Sequence, residues 1–337
     1  MKTHVPVPTS ARAPGRHVGR RSFSVIGSAV LLAFLASCSS GGARNQSAPG
    51  KNIKTFSLTD DPRLAISPVD PLRGKVISAA ELRGLLDRLL SEHSALAVHM
   101  MRAVVDDSTD LAVVKRTLSL NTIDLTGAIG LTYGPEGAFA FDQLWKQHIQ
   151  FFANYAAATT RAQRDKAMRD LRDYNMDFSS FTSTATGGRA PLSAVVGLIH
   201  THVAQLISQI DAYRRGDMVS AVAHQHEARV HMYEISAALA GALADQQPIT
   251  FPGGAPSSAT VEAAHLRSEG AQLTLDAAWS SQFRPALVAA LTAEVHTLAL
   301  DDTQGAIASR PCVARIAAHD YDGAAECSRS LLLDLSA

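Results

Sequence analysis

Between Ser78 and about residue 245 the chain repeats one pattern three times, with a period of about 54 residues. Internal repeats of this length mark a structural unit that is copied and stacked. Leu89-Leu90-Ser91-Glu92-His93 lies over Leu144-Trp145-Lys146-Gln147-His148, and both lie over Leu198-Ile199-His200-Thr201-His202. In each copy a leucine precedes a histidine by four positions, one turn of helix. A second segment follows in each, with a polar residue 29 to 31 positions after the histidine: Asp124, Asp177 and His231. A fourth, degraded copy is suggested where Asp320-Tyr321-Asp322-Gly323-Ala324 resembles Asp217-Met218-Val219-Ser220-Ala221 and places Asp334 over His231.

The segments inside the repeat have helical period. Leu82, Leu85, Leu86, Leu89, His93, Leu96, Ala97 and Met100 recur at steps of three and four, which puts them on one face. The same spacing predicts helices over 79–104, 108–131, 135–158, 162–183, 191–214 and 217–244. Breaks fall at Asp106-Asp107-Ser108, which can cap, and at Tyr133-Gly134-Pro135, Gly187-Gly188, Pro191 and Gly216-Asp217. No strand-like alternation of useful length intervenes. The expected fold is all-α: an antiparallel bundle of repeated helical hairpins, about six core helices over 78–246, with a smaller C-terminal helical section over 257–337. The Pro- and Gly-containing stretch from Gln247 to Pro256 separates the two.

The three histidines fall on apolar faces. His93 has Leu89, Leu90, Leu96 and Ala97 around it, His148 has Leu144, Trp145, Phe151 and Phe152, and His202 has Leu198, Ile199 and Leu206. A polar group in such a place costs roughly 1–3 kcal/mol unless it finds a partner. Two explanations compete. In one, each histidine bonds the carboxylate of its own hairpin and fixes helix register. In the other, histidines and carboxylates converge in the bundle and hold a transition metal such as copper, iron or zinc, as helical bundles commonly do. The candidate ligands are His93, Asp124, His148, Asp177, His202, Glu227 and His231. Glu227 enters because His224, Glu227 and His231 share a helix face. Methionine adjoins histidine in His99-Met100-Met101 and His231-Met232, and thioether favours copper. Neighbours in sequence point about 100° apart on a helix, however, which makes Met100 and Met101 better core filler than ligands. His265, His296 and His319 have no evident partner.

The N-terminus has a different character. Lys2, Arg12, Arg16, Arg20 and Arg21 precede an apolar run from Val25 to Leu35, too short to span a bilayer, which needs about 20 residues. A basic region, a short apolar core and small residues form an export signal. Arg20-Arg21-Ser22-Phe23 resembles the twin-arginine motif, and Leu35-Ala36-Ser37-Cys38 resembles the lipobox of bacterial lipoproteins. The resemblance implies that residues 1–37 are removed and that Cys38 carries diacylglycerol and a further acyl chain such as palmitate. Two or more chains anchor a protein firmly. Residues 38–77 then read as a lipidated tether, and the expected location is the outer face of the cell membrane. In that oxidising setting Cys312 and Cys327 are expected to form a disulfide worth roughly 3 kcal/mol; two separate buried thiols are the alternative.

The helical stretch, about half of the chain, also resembles hairpin repeats of uncharacterised exported bacterial proteins, in which a Leu-x-x-x-His helix precedes an Asp- or His-bearing one. The matching residues are His93, Asp124, His148, Asp177, His202 and His231. That resemblance implies no activity. Lys plus Arg and Asp plus Glu balance at 31 each, and no basic run follows Cys38, which argues against nucleic acid. Phosphate loops, nucleophile elbows, Cys-x-x-Cys and His-Glu-x-x-His are all absent. The sequence therefore points to an anchored binding protein with a metal or small ligand, or to an interaction module with structural histidines. An oxidase or peroxidase on a bundle metal is a more distant option.

Overall fold

The structure is a computed structural model that describes residues 76–254, together with His265 and Arg315. It is an all-α bundle, and no strand occurs among the described residues. Five helices make it: α1 Ala79–Asp106, α2 Leu111–Ala157, α3 Arg161–Ala185, α4 Leu192–Arg214 and α5 Met218–Gln246. Cys38, Arg20, Arg21, Cys312, Cys327 and the degraded fourth copy lie outside the described residues.

Local chemistry starts each helix. Ser78 opens α1 with a reciprocal cap: the Glu81 amide donates to Ser78 Oγ at 3.1 Å, and the Ser78 amide donates to Glu81 Oε2 at 2.6 Å. Thr160 and Gln163 repeat this device at α3, and Asp217 accepts from the Ser220 amide at 3.1 Å to open α5. The Asp106-Asp107-Ser108 cap differs from expectation. Asp107 closes α1 in the left-handed region (φ 53°), while α2 begins at Asp110 without a side-chain cap.

The count of six core helices becomes five because the second and third expected helices are joined in α2. Their junction is a sharp break at Gly134 (φ 68°, ψ −171°) followed by Pro135. A left-handed φ suits glycine, and proline at the first position of the second arm gives up an amide hydrogen that had no helical partner anyway. Each expected hairpin survives as α1 with the first arm of α2, the second arm with α3, and α4 with α5.

The helices close on themselves. Each packs on its neighbour in sequence, α5 returns to α1, and α1 also touches α4. Helix α1 is therefore the most enclosed: Leu89, Leu90 and every residue from His93 to Ala103 are buried. A helix hidden on all sides belongs to a core rather than to a surface. Beyond α5 the chain returns to its start: Phe251 is buried and the Ala79 amide donates to the Pro252 carbonyl at 2.9 Å. Arg214 pins the end of α2 by donating to the Tyr155 and Ala156 carbonyls, the first at 2.8 Å, with its guanidinium over the Tyr155 ring. Among the described residues no helix is long and apolar enough to cross a membrane.

His265 has a partner that the sequence did not disclose. Its Nε2–H donates to Asp87 Oδ2 at 2.8 Å, and its ring stacks on Tyr233 with centroids 3.5 Å apart and planes within 4°. Asp87 also accepts from Arg83 Nε at 2.7 Å. This contact fastens a residue of the C-terminal section to the bundle.

A candidate histidine site in the bundle core

The first helix of each hairpin carries its histidine into the interior: His93 on α1, His148 on α2 and His202 on α4 are 1%, 3% and 5% exposed. His93 Nε2 stands 3.1 Å from His148 Nε2. His148 and His202 line one cavity of about 20 Å³, with Trp145, Tyr174 and Met232 also in its wall. Aromatic rings pack the group. Trp145 lies 4.6 Å from the His93 ring and 4.5 Å from the His148 ring, centroid to centroid, and Tyr174 stacks on His148 at 4.9 Å. The Phe152 ring meets both His148 and His202 edge-on.

Burial controls the chemistry of these rings. It holds His148 and His202 down to about 3, against an ordinary value of 6.5, because the charged form is poorly solvated there. The His202 ring adds to this at His148, and His93 and His231 add to it at His202, while the Trp145 backbone opposes it at His148. His93 is lowered well below 6.5 by burial and then by His148, with the Asn121 side chain opposing. All three are neutral imidazoles at neutral pH. One ring of the His93–His148 pair then donates Nε2–H and the other accepts, so they are opposite tautomers. The buried Nδ1 atoms of His93, His148 and His202 have no hydrogen-bond partner.

The pairing expected within each hairpin does not form. His93 reaches the histidine of the next unit, and His148 stacks on Tyr174 while Asp177 is exposed on the other side of α3. The seven-residue metal set does not converge either. Among the described residues no three His, Cys, Asp or Glu side chains group to hold an ion. Asp177 and Glu227 are exposed, and Glu227 accepts from His224 Nδ1 at 2.9 Å. His231 directs Nδ1 at Glu234 Oε2 and Nε2 at the Leu198 carbonyl, both at 2.8 Å. Both ring nitrogens are thus engaged by groups outside the buried histidine pair. Asp124 is buried but joins no such group. What the structure brings together is the pair His93 and His148, with His202 buried on the cavity that His148 also lines. Helix periodicity identified Asp177 as inward because it lies three residues from Tyr174, but the inward face of α3 runs through Leu171, Tyr174, Asn175 and Phe178 instead.

Sequence reasoning missed three members of the site. Helical spacing puts Trp145 beside His148 and Tyr174 beside Asp177 as apolar neighbours and sets Met232 next to His231, while the cavity they share joins residues far apart in the chain. The signal for Met232 was its helical phase: it is buried with Ala228, Ile235 and Ser236 on the inner face of α5. Met100 and Met101 are fully buried core residues. No family model, curated protein or solved structure matches this chain.

Proposed function

We propose that this chain is an exported lipoprotein, anchored through Cys38 to the outer face of the cell membrane, whose helical bundle binds a metal ion at the His93–His148 pair. The observation that carries the binding reading is the 3.1 Å approach of two buried Nε2 atoms beside a cavity. Two nitrogens bound at about 2.0–2.1 Å to one tetrahedral ion stand about 3.3–3.4 Å apart. The pair is thus close to the bite of a single ion. A cavity of about 20 Å³ admits one water or one ion. Organic ligands need pockets of roughly 300 Å³ or more. The anchoring half of the reading rests on the Leu35-Ala36-Ser37-Cys38 and Arg20-Arg21 motifs.

The second reading is a structural or interaction module. It is favoured by the fact that 3.1 Å is also an ordinary hydrogen bond, which the two neutral tautomers can make without metal. Elemental analysis of protein recovered after export separates the two. The binding reading expects close to one metal per chain, lost in both His93→Phe and His148→Phe. Metal-free protein that also gains no thermal stability from zinc, iron or copper leaves the packing module standing. For the anchor, Cys38→Ala is expected to move the protein from the membrane fraction to the soluble fraction; retention on membranes would count against lipidation.

A further inference from the structure

The two ends of the bundle differ in character. One end gathers the start of α1, the break in α2, the end of α3, the start of α4 and the end of α5. Hydrogen bonds fix that grouping: the Ala79 amide donates to the Pro252 carbonyl at 2.9 Å, Gln247 Nε2 to the Thr132 carbonyl at 3.0 Å, and Gln246 Nε2 to the Ala185 carbonyl at 2.8 Å. Large apolar residues are exposed here: Ile249 by 90%, Val76 by 68%, Phe139 by 59% and Leu192 by 42%. The opposite end exposes charges of both signs, Asp107, Arg161, Asp165, Arg215 and Asp217, around Val219. We infer that the apolar end is a membrane-contact surface, which rests on the lipid to which Cys38 anchors the chain. The inference rests on the anchored reading, which brings a lipid surface within reach, and it adds which face the bundle turns to that surface.

Exposed apolar residues scattered singly are ordinary on any surface. Here four of the nine large ones among the described residues share one end. That end is also where the chain arrives from Cys38, since Val76 begins the described bundle there. The opposite end lies a helix length further off, about 38 Å for the 25 residues of α3. A tether turns docking into an intramolecular event, so a contact of a few side chains suffices. The backbone suits the same place. Unpaired amides and carbonyls are costly in lipid. The three connections at this end carry the exposed prolines Pro135, Pro191 and Pro248, which have no amide hydrogen. The carbonyls of Thr132 and Ala185 are already bonded by Gln247 and Gln246, and Tyr133 Oη adds a second bond to Ala185 at 3.1 Å. The exposed charges at this end are Glu81, Glu136, Asp245 and Arg189, acidic in sum. An anionic surface repels such a set, so the contact is apolar insertion and needs no anionic lipid.

The lipidated full-length chain, reconstituted in vesicles of neutral phosphatidylcholine with brominated acyl chains, tests this, because bromine quenches tryptophan at contact. Ile249→Trp puts a reporter at the apolar end and Val219→Trp puts one at the opposite end. Both positions are exposed, so the fold should persist. The parent chain, with Trp145 and Trp279, supplies the background. Interfacial side chains sit about 5–10 Å into the headgroup–acyl boundary, so the Ile249→Trp reporter should lose about half of its emission. The Val219→Trp reporter should lose none. Adding Phe139→Ser and Leu192→Ser should restore most of the Ile249→Trp signal. Quenching at both ends, at the opposite end alone or at neither overturns the inference and leaves the anchor intact, since the protein still floats with the vesicles. Copies that cross-link through this end without quenching overturn it in favour of a second copy as the occupant. A chain recovered from cells without lipid on Cys38 removes the anchored reading and this inference with it.

Discussion

His93 and His148 are each held in place by the other, and the consequence is measurable. Truncating one leaves the other as a buried polar ring without its partner, a loss of about 1–3 kcal/mol. Removing both removes the problem. In apo protein, His93→Leu and His148→Leu should therefore each destabilise strongly, while the double variant costs clearly less than the sum. Urea unfolding of the four proteins reads this coupling, and additive losses would show that the 3.1 Å contact contributes nothing. Acid provides a second test at this scale. His148 and His202 have folded values near 3 and unfolded values near 6.5. Well above pH 6.5 both rings are deprotonated in both states and add no pH dependence to stability. Below it the unfolded chain takes up protons that the folded chain refuses, and stability falls by about 1.4 kcal/mol per pH unit for each ring until pH nears 3. Against a total of about 5–15 kcal/mol, the bundle is expected to unfold between pH 6 and 3. Replacing His202 with Phe should make the slope shallower; an unchanged slope would falsify the assignment of the loss to that ring.

At the scale of elements, two places decide how the hairpins meet. The break in α2 turns on Gly134, whose φ of 68° with extended ψ is a region nearly reserved for glycine. A Cβ there would touch nothing within 4 Å, so the cost of Gly134→Ala lies in the backbone alone. It should be about 1–3 kcal/mol, lowering the melting temperature by several degrees. The same substitution at Gly84, inside α1 with open space around it and no left-handed φ, should be neutral or stabilising. Differential scanning calorimetry of the pair separates backbone strain from general glycine effects. The second place is Arg214, which satisfies carbonyls at the end of α2 from the end of α4. Arg214→Ala should cost about 1–3 kcal/mol, since it frees carbonyls and removes a cation over the Tyr155 ring. Chemical denaturation checks it, with Arg215→Ala on the exposed neighbour as the silent control.

At the scale of the whole molecule, the return of the chain matters most. Phe251 and the Pro252 carbonyl bring the end of α5 to the start of α1, and His265 continues that closure through Asp87 and Tyr233. His265→Ala removes a stack and a bond to a carboxylate. Worth about 1–2 kcal/mol together, their loss should raise the rate of limited proteolysis about five- to thirtyfold while helix content by circular dichroism stays unchanged. Equal cleavage rates would mean that His265 does not hold its section to the bundle.

The amino-acid order by itself determined the class, the repeat and the helix ends. Apolar residues at three- and four-residue steps and Gly-Pro punctuation are local signals, read over a few neighbours, and they placed most helix ends within one to three residues. It also identified His93, His148 and His202 as inward, because each sits deep inside an apolar face. The partners of those histidines were decided by the tertiary structure alone. Asp177 and Glu227 turned to solvent and His231 turned to Glu234 and Leu198, because which arc of a helix faces the centre depends on how all its neighbours are rotated. His93 met His148 across a hairpin boundary, and Met232 came to the cavity from the last helix, through packing between residues far apart in the chain. Spacing along one helix fixes a face; only the closed bundle fixes what that face meets.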